Sequence, residues 1–269
     1  VQAKLKKDGS TIVHIAAQGG HATIIPICAA QGAPIDTENE NGIRPIHYAC
    51  QSGSVPLVQA LQTALADLNA VDKEGNTSIH YAALNNHQEV ISLLIENSVS
   101  IDSQGALKKT PLHMAIDKGY VDLVNFLTEK SANVNAQDAN GETPLHYAIK
   151  KNDIESINIL LAAGASANSD SHDGTRPLHL VATRNAVEIG KLLFAANADV
   201  DGLNKKKETP ILLSCACGDL DLVSLFIDNN ANLDVTDENG NTPAHIAVIN
   251  CHLAIFQKLL LSPIVYRLQ

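Results

Sequence analysis

Thr110-Pro111-Leu112-His113-Met114-Ala115 and Thr143-Pro144-Leu145-His146-Tyr147-Ala148 are one hexapeptide written twice, 33 residues apart. Anchored on its histidine, the segment returns around His14, His47, His80, His113, His146, His179, Leu212 and His245, always 33 residues after the last and without an insertion. A fixed period of this length marks a repeat architecture. Each unit is too small to bury its own apolar face, and stacking supplies the core.

The fifth copy shows how one unit is built. Asp138-Ala139-Asn140-Gly141 is a turn signal, with Gly free to take positive φ. Thr143 reads as an N-cap and Pro144 as the first helical residue. Leu145, Ala148 and Ile149 fall at i, i+3 and i+4, giving one apolar stripe on a short helix. Asn152, grouped with Gly19, Gly53, Gly119 and Gly218 of sister copies, closes it in the left-handed region. A second helix follows with Ile154, Ile157, Leu160 and Leu161 inward, ended by Ala163-Gly164-Ala165. The unit is therefore expected to be a hairpin tip followed by two antiparallel helices.

Period and T-P-L-H-x-A signature together resemble the ankyrin repeat. The resemblance covers nearly the whole chain and implies an all-α fold, a solenoid of antiparallel helix pairs with β-hairpin-like tips. It divides 1–269 as a single array: a lead-in at 1–5, with the match still poor to residue 7, then repeats at about 6–38, 39–71, 72–104, 105–137, 138–170, 171–203, 204–236 and 237–269. The ends depart from the pattern as caps do. Lys258 stands where inner copies carry Leu93, Phe126, Ile159, Leu192 and Leu225, and Pro263 marks a stop. In the first copy Ile12 replaces Pro, and Pro26 implies a second helix that is distorted or starts late.

Composition agrees with short, closely packed helices: there is no Trp, and aromatic residues make up 3% of the chain. A formal charge of -10 argues against a general nucleic-acid binder. The five Cys (28, 50, 215, 217 and 251) are odd in number and without paired spacing, which reads as reduced thiols in an intracellular compartment. Cys50 and Cys215 take the small-residue packing slot three after the anchor. No apolar run approaches the ~18 residues of a membrane span, and no signal peptide is visible. The chain opens on Val1, so we expect it to be part of a longer polypeptide; a cytoplasmic setting is expected, host cytoplasm if this is a bacterial effector.

Eleven His invite a metal or catalytic reading, but seven are anchors, separated by whole repeats and too distant to share an ion at ligand distances of about 2.0–2.1 Å. The resemblance implies that they tie successive repeats together through loop backbone. His21, His87 and His252, seven after their anchors, fall in the family's Gly-His slot and are structural as well. Only His172 lies off both slots, at a tip where it could touch a ligand. No phosphate-binding, dinucleotide, zinc-protease or nucleophile-elbow motif occurs. Cys215 and Cys217 diverge on a helix. Neither catalysis, cofactor nor metal is expected. Asn69 and Asn135 resemble ankyrin asparagines that hydroxylases modify, although turn formation explains them too.

In ankyrin proteins the tips and the ends of the first helices line the surface that meets partners. Those slots in copies four to seven carry Lys108, Lys109, Lys118, Lys150, Lys151, Arg184, Lys205, Lys206 and Lys207 against Asp117, Glu142, Asp173 and Glu208; in the other copies they carry Lys7 and Lys73 against Asp8, Glu40, Glu74 and Glu238. Copies four and seven also replace the tip Gly by Lys108 and Lys207, so those tips must bear strain or bend differently. A basic island on an acidic protein, with His172 beside it, predicts a protein or peptide partner that is acidic there. The function expected is a non-catalytic interaction module within a scaffold, adaptor or effector. The alternative is the substrate-recruiting domain of a transferase, kinase or ubiquitin ligase; an anionic ligand such as phosphoinositide or RNA is a third reading.

Overall fold

The computed structural model describes residues 8–262, in which sixteen α-helices form eight consecutive pairs. The chain divides into two compact units, one running to Ala139 and one starting at Asn140.

The first unit holds α1 (Ile12–Gln18), α2 (Ile24–Ala30), α3 (Pro45–Ser52), α4 (Val55–Thr63), α5 (Ser78–Leu84), α6 (Gln88–Glu96), α7 (Pro111–Lys118) and α8 (Val121–Glu129). Helices this short are marginal alone in water, so neighbours must hold them. α1 packs on α3, α3 on α5 and α5 on α7, while α2 packs on α4 and α4 on α6. The residue before each anchor seals the first-helix layer: Val13, Ile46, Ile79 and Leu112 are buried. Leu57, Leu61, Ile91, Leu94, Leu123 and Leu127 seal the second. Each such side chain contributes roughly 1.5–3 kcal/mol of burial. Ala17, Cys50 and Ala83 are fully buried three after their anchors, where small residues let helices approach closely.

The second unit repeats the plan with α9 (Pro144–Lys151), α10 (Ile154–Ala162), α11 (Pro177–Ala182), α12 (Val187–Ala195), α13 (Pro210–Cys217), α14 (Leu220–Asp228), α15 (Pro243–Ile249) and α16 (Leu253–Leu260). α9, α11, α13 and α15 stack in order, as do α10, α12, α14 and α16. Phe226 is its largest buried side chain, edge-on to Phe194 at 5.8 Å between ring centres.

The left-handed residue closing each first helix is six after the anchor in all eight copies: Gly20, Gly53, Asn86, Gly119, Asn152, Asn185, Gly218 and Cys251 have φ between 54° and 82°. This corrects Gly19, which is right-handed at φ −80°. With two adjacent glycines either could have closed α1, and the register selects Gly20. α2 starts two residues later in its unit than α4 does, which places Pro26 within the first turn where no N–H is needed. Ile154 opens α10 and is 40% exposed, not inward, because its side chain lies at the solvent edge of the first turn; Ile157 and Leu160 are buried as expected. Lys258 is half-buried, while Leu253 and Leu261 beside it are exposed, so the last copy is polar at only one of its apolar slots. Residues 1–7 and Pro263 lie outside the described span.

The tips close without extended strands among the described residues. A backbone bond spans the turn in copies two, three, four, six, seven and eight, as from Asp72 N–H to Asn76 C=O (3.0 Å), and one isolated bridge joins Val71 to Thr77. The side chain eight before the anchor holds the turn: Asp72 Oδ1 accepts from the N–H groups of Glu74 and Asn76, and Asn204 and Asp237 do the same. Copy four has Gly105 at that slot, and its tip winds instead into a 3-10 turn at Ala106–Lys108, with Leu107 and Lys108 both at φ 56°. Lys207 keeps the glycine geometry at φ 57°. Copy four therefore bends differently and bears strain; copy seven bears strain alone, at about 1 kcal/mol per left-handed residue.

Candidate partner-binding face

The anchor histidines are built in before any surface can form. In α5 the Thr77 N–H donates to Nδ1 of His80, three residues on, at 3.1 Å, and Nε2 of the same ring donates to the Lys109 carbonyl at 3.0 Å. His14 reaches Ile43, His146 reaches Thr175 and His179 reaches Glu208 in the same way; His47 reaches Ala70. One ring thus caps its own helix and holds the next tip. Because Nδ1 accepts a backbone proton, the neutral Nε2-H tautomer is required. Burial also pushes His47, His80 and His179 below the ordinary imidazole pKa. His87 and His252 tie the other side, bonding to the carbonyls of Gln51 and Ala216 at the end of the preceding first helix.

Tips are also joined directly. In the first unit the Lys73 N–H donates to Asn41 C=O; in the second, His172 N–H donates to Asn140 C=O at 2.8 Å and Lys205 N–H to Asp173 C=O at 3.0 Å. Copies five, six and seven therefore present their tips in one row. A Cβ on Gly141 would lie 2.6 Å from the His172 ring, so that glycine is what lets the ring lie over the preceding tip.

Of the ten residues expected at the site, Lys108, Lys109 and Lys118 lie in the first unit, and Lys150, Lys151, His172, Arg184, Lys205, Lys206 and Lys207 in the second. All are exposed except Lys109, which is half-buried and 3.8 Å from Asp117. Lys150 is ion-paired with Glu142. Among the described residues Arg184 and Lys205 to Lys207 make no ion pair. The acidic neighbours are committed to their own tips. Asp173 accepts from the Ser171 hydroxyl and the Thr175 N–H, which hold its pKa down at about 2, and Glu208 accepts from the Asn204 amide.

Sequence reasoning passed over the residue directly after each anchor. In α11, α13 and α15 that slot is Leu180, Leu213 and Ile246, all half-buried on the tip side. A groove of about 420 Å³ lies between Leu180 and Leu213, walled by Asp173, Thr175, Asn204, Lys205, Lys206 and Glu208. A second of about 230 Å³ continues it past Glu208 and Leu213 to Ile246, Ile249 and Asn250. An apolar residue in a first helical turn reads as core from sequence, which hid this floor. The signal available was that Tyr48, Tyr81 and Tyr147, with polar tips, fill the same slot in other copies.

Cys215 is buried with its thiol pushed up to about 12, and Cys50 is raised further by burial. Among the described residues no three His, Cys, Asp or Glu side chains are placed to hold a metal, and no helix is long and apolar enough to cross a membrane. Asn69 and Asn135 are exposed, and their N–H groups close turns on Asp67 and Asn133.

Comparison with known proteins bears on what such a face belongs to. No curated protein matches the chain. Among solved structures it is similar to the ankyrin repeat domain of Bcl-3, described as a unique member of the IkappaB protein family, at 25% identity and a TM-score of 0.69, over 77% of this chain and 95% of that one. The family model for ankyrin repeats in three copies matches residues 1–72, 54–138, 132–202 and 178–266. With the anchor ladder, the paired helices and these matches in agreement, the chain belongs to the ankyrin-repeat family.

Proposed function

We propose that this chain is a non-catalytic interaction module that presents its tips and first-helix ends to a protein or peptide, and that the partner is acidic where it meets the exposed lysines. Ankyrin repeats are protein–protein interaction modules, and the Bcl-3 likeness fits a protein partner. The observation that carries the charge preference is the imbalance in the second unit: Arg184 and Lys205 to Lys207 are unpaired among the described residues, whereas Asp173 and Glu208 are held by their own turns. Lys108 and Lys118 give the first unit a smaller patch of the same sign. Such charges chiefly raise the association rate and weaken with salt. The module fits a scaffold, adaptor or effector.

Proximity labelling with the whole chain, followed by binding kinetics on the purified partner, tests this. Lys151→Glu with Arg184→Glu should lower the association rate at least about tenfold at low salt and flatten its salt dependence. Lys73→Glu, on a tip remote from the second unit's lysines in sequence, should change little. Unchanged rate and affinity in the double variant would reduce the lysines to a solvated surface.

A further inference from the structure

We infer that the grooves of copies six to eight seat an extended acidic peptide segment in one fixed direction, its carboxylates over copies five to seven and an apolar side chain on copy eight. The inference rests on the interaction-module reading and adds ligand chemistry and polarity to it. The floor is apolar along its length, from Leu180 through Leu213 to Ile246 and Ile249, and Ile249 is 64% exposed. The two grooves share Leu213 and Glu208, so a single chain can run through both.

Charge is distributed unevenly along that path. At one end stand Lys151, Arg184, Lys205, Lys206 and Lys207; Lys205 and Lys206 stand in the wall of the larger groove, beside Asp173 and Glu208, which are engaged by their own turns. At the other end the tip carries Asp237 and Glu238, and Asp237 is kept ionised by the N–H groups of Asn239 and Asn241 and the Asn241 amide. A uniformly acidic ligand would be attracted at one end and repelled at the other. An uncharged apolar one would leave Arg184 and Lys205 to Lys207 without counter-charge. A segment that begins acidic and ends apolar satisfies both ends, with the apolar side chain as the buried anchor that sets its lifetime. Asp237 and Glu238 at the far end also oppose a phosphate backbone, which is charged along its whole length, and this disfavours nucleic acid here.

The test is selection of a random displayed peptide library on the whole purified chain, with the enriched peptides remade carrying a photo-crosslinker at either end. We expect Asp or Glu runs followed by Leu, Ile or Phe. The crosslinker at the apolar end should label α15, and the one at the acidic end should label copies five to seven. Ile249→Asp, at an exposed position that leaves the core intact, and Lys205→Glu with Lys206→Glu should each weaken binding about tenfold or more. Lys73→Glu in the first unit should not. Peptides that lack either feature, crosslink in the reverse order, or bind these variants unchanged would overturn the inference. So would failure of any peptide to enrich. A labelled partner that still binds the whole chain in that case leaves the interaction-module reading standing, so the two fail separately.

Discussion

Copies six and seven share a plan and differ at the anchor. In copy six the Arg176 N–H donates to His179 Nδ1 at 3.0 Å, and Nε2 donates to the Glu208 carbonyl at 3.0 Å. In copy seven the anchor is Leu212, 1% exposed, and both bonds are gone. The hydroxyls of Thr209, at the N-cap of α13, and of Ser214 one turn on are buried without a partner among the described residues. α13 nevertheless forms at full length and packs on α11 and α15. Volume, Pro at the first position and the small-residue slots are therefore enough to make the repeat. What the imidazole adds is the bond to the next tip, and copy seven does without it.

The sharpest way to break this comparison is to make copy six resemble copy seven. His179→Leu should cost about 1–2 kcal/mol, since it leaves the half-buried Arg176 N–H without an acceptor and takes one of two donors from the Glu208 C=O, which keeps the Asn204 N–H, in a setting that has not adapted to the loss. Urea unfolding reads the change directly, and a neutral result would mean that the anchor acts through volume alone. Acid should attack the same bonds more gently. Burial lowers the folded pKa of His47, His80 and His179, so the unfolded chain takes up protons first. Their contribution to stability is complete above the unfolded value of about 6.5 and is lost as pH falls from there through the folded values. The urea midpoint should therefore drop between about pH 7.5 and 5.5, well above the range where Asp173, with its pKa of about 2, begins to protonate. A flat midpoint over that interval would contradict the neutral tautomer. The smallest effect is the reverse substitution: Leu212→His should add about 0.5–1 kcal/mol by supplying the missing cap and tip bond. Destabilisation there would show that copy seven has repacked around leucine.

Most of the architecture was legible because it is a matter of register. The 33-residue step, the Thr-Pro start and the small residues at fixed offsets are local, repeated eight times, and each copy corrects the reading of the others. Where a single copy stood alone the reading slipped: Gly19 and Gly20 are equally permissive, and only the packed backbone separates them. Ile154 was assigned inward by helical spacing, which says nothing of a first turn at the solvent edge. The candidate site was half legible. Exposed lysines declare themselves, but the Glu142 partner of Lys150 lies eight residues away, outside any helix-spacing rule. The apolar floor at Leu180, Leu213 and Ile246 looks like core until the tips are in place to make it a groove.

The tip-to-tip bonds carry a consequence for how the gene can change. Each joins one tip's carbonyl to an amide of the next tip at the same offset, as Asn140 to His172 and Asp173 to Lys205. Cutting out one whole period from the second unit would rejoin a tip to an equivalent tip with every donor facing an acceptor of the same kind. Losing any other number of residues would leave a helix out of phase with both neighbours. Within the array the tolerated lengths come in steps, so gain and loss of whole repeats is the cheap route by which such a protein lengthens or shortens its binding face.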